Sequence, residues 1–306
     1  MIFSKFKNLK SLIILLVLIF SFTLLILFFY KEKENSLIYT NVDLNKKHLI
    51  DITGDGEKET IEILNKDNLY DIKITTTDST ILLSSLLPDE EMCSSDKGNI
   101  FKIRFINISR DNKPEILVQG IKNNSTINYV FSYDQKFKLT LSDNNNICGV
   151  IDSNMVKTPQ FITLNYSEKK ENLKSHMLIN NEIIDSTRHN TIVPGLDAII
   201  SLIDYINLEV EIDSHPEVFT DNIASNDLSQ LWKLDKDTFK YIFKDSFFFD
   251  STLDDKGNII ECTYILSFTK QNKKDSSISP FDVEVKLIKD YYNTLKISEM
   301  RFFSQK

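Results

Sequence analysis

The sequence predicts a mainly β protein with an N-terminal transmembrane helix, a propeller-like or open antiparallel β-repeat array, and a smaller α+β domain. Three observations support this. The run Ser11–Tyr30 carries no charge, an acidic loop followed by an alternating strand recurs downstream of it, and helical periodicity begins near residue 196. The predicted parts are therefore 1–34, 35–188 and 189–306.

The uncharged run 11–30 has the length of a membrane span, since about 20 helical residues cross a hydrocarbon core of roughly 30 Å. Lys5, Lys7 and Lys10 precede it, so the positive-inside rule places the N-terminus inside and the C-terminal part outside. A cleaved secretory signal peptide is the alternative, but its apolar core is shorter and a small-residue cleavage site is expected after it. We expect a single-pass signal anchor in the cell membrane.

The acidic composition limits the classes of partner that the protein can bind. The chain has 44 acidic and 36 basic residues and a net charge of −8, which argues against nucleic acid and is compatible with divalent cations. Its richness in Ile, Asn and Lys is typical of an AT-rich bacterial gene. Cys93, Cys148 and Cys262 are too few for a disulfide framework, and reduced, partly buried thiols are expected, with a Cys93–Cys148 pair left open.

The most informative stretch is a short acidic loop. Asp51, Thr53, Asp55 and Glu59 place oxygen side chains at loop positions 1, 3, 5 and 9, and Gly56 stands at position 6. Hard cations such as calcium take six to eight oxygen ligands at about 2.3–2.6 Å, and a tight loop with a Gly at its bend can supply them.

The loop recurs twice. The second copy holds oxygen side chains at the same four positions, Asn107, Ser109, Asp111 and Glu115, and the third, at 152–160, retains only positions 1 and 3. Strand-like apolar runs precede and follow every copy. A spacing of roughly 50 residues suits propeller-like blades or a stacked antiparallel array. Three visible copies are too few for a closed propeller, so we expect an open or incomplete array.

The pattern Asp51-x-Thr-Gly-Asp-Gly-x-x-Glu59 and its second copy resemble the FG-GAP/VCBS type of extracellular β-repeat, over roughly residues 40–185. In that family a loop of this kind between two strands holds calcium. The resemblance implies metal ligands at Asp51, Thr53, Asp55, Glu59 and the Glu57 carbonyl. It implies a weaker second site at Asn107, Ser109, Asp111 and Glu115.

Two other interpretations of the loop stay open. Thr53 replaces the family's Asx, Asn112 replaces Gly in the second copy, and Glu62 falls at position 12, where an EF-hand carries a bidentate Glu. An EF-hand needs flanking helices, however, whereas both flanks alternate like strands. The remaining interpretation is a metal-free acidic turn, because Asp-Gly is common turn chemistry.

The pattern changes after about residue 190. Apolar residues at helical spacing predict a helix over 196–208, and a second short helix is predicted over 226–234. Alternating runs then predict four strands, at 239–249, 258–268, 281–289 and 294–303. Helices followed by an antiparallel meander indicate an α+β domain.

The sequence contains no nucleophile elbow, phosphate-binding loop or dinucleotide fingerprint, and no pair of carboxylates stands out. Trp232 and the run 247–249 are either pocket-lining residues or core. We therefore expect a cell-envelope binding or scaffold protein, held by its N-terminal helix and recognising a cell-wall or surface protein or glycan. The alternative is an envelope enzyme, or a regulator of one, with its site in 189–306.

Overall fold

The computed structural model describes residues 21, 39–41, 43–94, 101–111, 113–152, 158–188, 191–210, 214–256 and 258–303. Apart from Ser21, the predicted anchor at 11–30 lies outside these residues. Among the described residues, no helix has both the length and the apolar character that a membrane crossing requires. Ile38–Lys306 forms one compact unit.

Ten strands form the first sheet. They are β1 (Tyr39–Asn41), β2 (His48–Ile50), β3 (Glu59–Lys66), β4 (Leu69–Thr75), β5 (Thr80–Leu82), β6 (Cys93–Ser94), β7 (Lys102–Ile106), β8 (Glu115–Lys122), β9 (Ser125–Asp134) and β10 (Lys136–Asp143). Strand β8 lies between β9 on one side and β7 and β6 on the other, and the sheet continues from β6 through β4 and β3 to β2. The sheet is open.

Eight strands form the second sheet, which is also open. They are β11 (Ile147–Ile151), β12 (Gln160–Leu164), β13 (Lys174–Ile179), β14 (Glu182–Asp185), β15 (Phe239–Leu253), β16 (Ile259–Asn272), β17 (Ile278–Lys289) and β18 (Leu295–Phe303). The order is β14-β13-β12-β11-β15-β16-β17-β18, and neighbours run antiparallel except that β11 runs parallel to β15.

The predicted boundary at residue 188 falls within this second sheet. Strands β11–β14 precede it, β15–β18 follow it, and the pairing of Val150 with Phe249 belongs to the parallel ladder that joins the two groups. The first two copies of the acidic loop therefore belong to the first sheet and the third copy to the second. A parallel pair needs a long crossover connection, and the segment with both helices provides it.

Two-residue turns connect several antiparallel neighbours. Asn123 and Asn124, between β8 and β9, have φ of +53° and +63°, and Asn180 and Asn181, between β13 and β14, have +51° and +62°. Positive φ at both central residues is the geometry of a type I′ turn, and its twist matches that of paired strands. Asn is one of the few side chains that tolerates this region.

Alternation along the strands builds three hydrophobic layers. In β8, Ile116 and Val118 pack into a core on one face of the first sheet, whereas Leu117 faces the second sheet. In β15, Phe247 packs between the two sheets and Phe248 packs on the far face. The run 247–249 is thus core strand, the second of its two predicted interpretations.

Two helices of the described chain cover the far face of the second sheet, α1 (Leu196–Asn207) and α2 (Ser225–Trp232), close to the predicted ranges 196–208 and 226–234. Helix α1 buries Ile199, Leu202 and Ile203 in that core, whereas α2 contributes Leu231. The four long strands that were predicted after them are β15–β18.

The three thiols are free in the structure and fully buried, where reduced and partly buried thiols were expected. Burial raises the pKa of Cys93 to about 12, so this thiol stays protonated at neutral pH. The Cys93–Cys148 pair that was left open does not form.

Candidate functional site

The first acidic loop is a hairpin loop between β2 and β3, and its acids accept hydrogen bonds from its own backbone. Asp51 accepts the N–H of Gly54 at 2.7 Å and that of Gly56 at 3.0 Å, one on each carboxylate oxygen. Asp55 accepts the N–H of Glu57 at 2.8 Å. Asp55 and the Glu57 side chain are exposed to solvent. These bonds preorganise the turn, as Asp side chains commonly do.

Glu59 closes the neck of this loop. It is buried, and its Oε2 atom accepts the N–H of Ile52 at 2.7 Å and that of Thr53 at 3.2 Å. The hydroxyl of Thr53 donates to Oε1 at 3.1 Å. The carboxylate therefore ties the two strands together where they enter the loop, which the sequence pattern did not reveal.

The second loop, between β7 and β8, repeats three of these hydrogen bonds at equivalent positions. Asn107 accepts the N–H of Arg110 at 2.8 Å, and Asp111 accepts that of Lys113 at 3.0 Å. Glu115 is buried and accepts the N–H of Ile108 at 2.8 Å. The repeat seen in the sequence is thus a repeat of structure, and strands flank both copies.

Within the second loop, Ser109 donates its hydroxyl to Asp111 at 2.7 Å. Burial raises the pKa of Glu115 to about 7, and the negative charge of Asp111 adds to this effect. Hydrogen bonds from Ile108 and Ser109 act in the opposite direction. Glu115 therefore changes its protonation state near neutral pH.

The first two loops lie side by side. Gly54, at position 4 of the first loop, has a φ of +75°, and a Cβ placed there would lie 2.8 Å from Cγ of Lys113 in the second loop. Only glycine meets both requirements, positive φ and close approach, without strain. Position 4 of the second loop is Arg110, which keeps a positive φ of +60°.

Arg110 connects the second loop to the third. Its guanidinium pairs with Asp152, position 1 of the third copy, and the Asp152 N–H donates to Asp250 of β15 at 2.9 Å. Burial raises the pKa of Asp250 to about 6, with a smaller opposing effect from Arg110. The sequence pattern did not single out Arg110 or Asp250. The one signal for Arg110 is that it stands at position 4, where the first copy has Gly54. Positions 2–6 of the third copy lie outside the described residues.

The donor set of the first loop consists of oxygens alone, which suits a hard cation such as calcium. A carboxylate oxygen has two lone pairs, so the bonds to backbone N–H groups leave acceptor capacity on Asp51 and Asp55. Within the described part of the chain, no group of three or more His, Cys, Asp or Glu residues is arranged to hold a metal. The structure places the predicted ligands of each copy in one hairpin loop, and Glu59 and Glu115 accept hydrogen bonds from backbone N–H groups there.

A polar groove of about 280 Å³ lies on the face of the long strands that points away from the helices. Its lining residues are Ser251, Glu261, Thr263, Glu284, Lys286, Glu299 and Arg301. Lys286 pairs with Glu261 at 3.0 Å, and Arg301 lies 3.6 Å from Glu299 and 4.0 Å from Glu284. A hydrogen bond from Thr252, together with Lys286, lowers the pKa of Glu261.

Comparison of the chain with protein-family models, with curated proteins and with solved structures found no match.

Proposed function

We propose that this chain is a binding or scaffold protein of the bacterial cell envelope, in which the first acidic loop holds a structural calcium ion. The observation that carries the proposal is the hydrogen-bond pattern shared by the first two loops. It supports a loop architecture common to both copies, with oxygen side chains at fixed positions, and oxygen atoms are the ligands that calcium takes. In this proposal the run 11–30 anchors the chain in the membrane.

Calcium would act as a clamp. Asp51, Asp55 and Glu57 belong to one short loop, and like charges within a loop repel one another in the absence of a cation. The ion would neutralise this repulsion and would bind the folded loop only, thereby adding its binding free energy to stability. The second loop is the weaker candidate, because the neutral Asn107 replaces the charged Asp51 and the cationic Arg110 lies inside it.

The groove favours binding over catalysis. An acid catalyst at neutral pH needs a carboxyl whose pKa is raised toward the working pH. Here Glu261 has a lowered pKa, and Glu284 and Glu299 have Arg301 beside them. Paired charges on an open sheet face suit recognition of a polar surface, such as that of a cell-wall glycan or another surface protein.

Isothermal titration calorimetry with calcium chloride tests the metal proposal. The matched variants are Asp55→Ala and Asp111→Ala, which remove position 5 from the first and the second loop. The proposal expects one dominant site that disappears in Asp55→Ala and persists in Asp111→Ala. The proposal would be overturned if the wild type gave no heat of binding at millimolar calcium. It would also be overturned if the heat of binding were lost only in Asp111→Ala.

A further inference from the structure

The outer edge of β18 is covered by segments of the same chain. The N–H of Ile297 donates to the carbonyl of Val218 at 2.8 Å, and the Thr220 N–H donates to the carbonyl of Ile297 at 2.9 Å. This short backbone pairing satisfies the first part of the edge. An uncovered edge strand presents a row of unpaired N–H and C=O groups to any other strand.

Two side chains of α2 cover the rest of the edge. Asp227 accepts the N–H of Met300 at 3.1 Å, while Gln230 donates to the Met300 carbonyl at 3.1 Å and accepts the Phe302 N–H at 3.2 Å. The amide of Gln230 thus offers one donor and one acceptor, as a peptide group of a neighbouring strand does. The position of a further strand is occupied here by side chains.

Helix α2 buries a small apolar surface. Leu231 is buried and Leu228 is partly buried against the core, whereas Trp232 at the C-terminal end is 47% exposed. A short helix with so little buried apolar surface opens locally at low cost in free energy. Displacing α2 would leave both the N–H and the C=O of Met300 available on the outer side of β18.

The sequence around Met300 is complementary to itself. When two copies of β18 pair antiparallel about a two-fold axis at Met300, residue 299 of one copy stands opposite residue 301 of the other. These residues are Glu299 and Arg301, which lie on the same, solvent-facing side of the strand. Opposite charges directly across an antiparallel pair are stabilising, and the arrangement would occur twice.

We propose that the outer edge of β18 is a docking edge for a second copy of this chain, closed within each copy by Asp227 and Gln230. The Met300 N–H and carbonyl would exchange hydrogen bonds with those of the second copy, and Glu299 and Arg301 would pair across the axis. The pairing between the two copies of β18 extends over few residues and is therefore weak. The contacts of Asp227 and Gln230 with β18 keep the chain monomeric until α2 moves away.

Sedimentation velocity of the full chain in a mild detergent tests the proposal. The wild type is the baseline and is expected to sediment as a single chain, whose mass is 35.5 kDa. Asp227→Ala/Gln230→Ala removes the cover, and its sedimenting mass is expected to double with rising concentration. A double variant that folds, judged by circular dichroism, and remains monomeric throughout overturns the proposal.

Charge variants separate specific pairing from aggregation. Adding Arg301→Glu to the double variant places Glu opposite Glu299 and is expected to abolish the dimer. Adding Glu299→Arg as well exchanges the two charges and is expected to restore it. If the fraction of dimer is the same with Arg301→Glu and with the further change Glu299→Arg, the two-fold pairing is contradicted. If the double variant does not fold, the single variants Asp227→Ala and Gln230→Ala are tested instead. Each of them uncovers part of the edge.

Discussion

Arg110 of the second acidic loop pairs with Asp152 of the third, and this contact joins the two sheets at the edge where their loops lie. The Asp152 N–H in turn donates to Asp250 on β15. Both partners of the ion pair are mostly shielded from solvent, with 28% of the Arg110 side chain and 17% of the Asp152 side chain exposed. The contact therefore differs from the exposed ion pairs of the surface.

Arg110→Met is expected to lower the free energy of unfolding by about 1–3 kcal/mol, because it leaves Asp152 and the buried Asp250 without a nearby cation. Urea denaturation monitored by circular dichroism measures the change. Lys46→Met is the matched control, since Lys46 pairs with Asp43 at 2.9 Å on an exposed surface, and such pairs contribute about 0–1 kcal/mol. Equal effects of the two substitutions would contradict the assignment.

Stability is expected to fall as the pH rises from 5 to 8. The pKa of Glu115 is raised to about 7 and that of Asp250 to about 6, whereas unfolded carboxyls titrate near pKa 4. Their contribution is present in full below the unfolded pKa and is lost as the pH rises through the folded pKa.

Glu115→Gln removes one of these two titrations and is expected to flatten the dependence of the urea midpoint on pH over this range. Asp250→Asn is the companion variant and should flatten the lower part of the range. An unchanged slope in both variants would show that other groups control the pH dependence.

Gly54→Ala is expected to destabilise the protein by about 1–2 kcal/mol or more, because it adds backbone strain at positive φ and a clash with Lys113. Gly56→Ala is the matched control, since Gly56 also has positive φ, +91°, but no atom lies within 4 Å of a Cβ placed there. Thermal melting should show a larger loss for Gly54→Ala. The difference should shrink in a Lys113→Ala background; a difference that persists would place its cause elsewhere.

Local patterns predicted much of this fold. Alternating apolar residues identified the strands on both sides of the acidic loops, and helical spacing located α1 within a residue of its observed end at Asn207. The Asn-Asn pairs at 123–124 and 180–181, which form tight turns with positive φ, are local signals of the same kind. These features depend on neighbours in the chain, which is why the sequence displays them.

Contacts between residues far apart in the chain leave no such local pattern in the sequence. The parallel pairing of β11 with β15 joins segments about 100 residues apart, and no local pattern specifies it. The boundary predicted at residue 188 therefore falls within one sheet. The partner of Arg110 was hidden for the same reason. In the loops, the pattern identified the oxygen side chains, but it did not reveal that Glu59 and Glu115 are buried and bonded to the backbone.

The central claim is that calcium stabilises the first loop, and thermal melting of the wild type with calcium and with chelator tests it most directly. An ion that binds the folded state alone adds about 2.7 kcal/mol at a hundred times its Kd, which corresponds to a Tm increase of several degrees. We expect this increase in the wild type and in Asp111→Ala, and its loss in Asp55→Ala. Identical melting curves for the wild type with calcium and with chelator would contradict the claim.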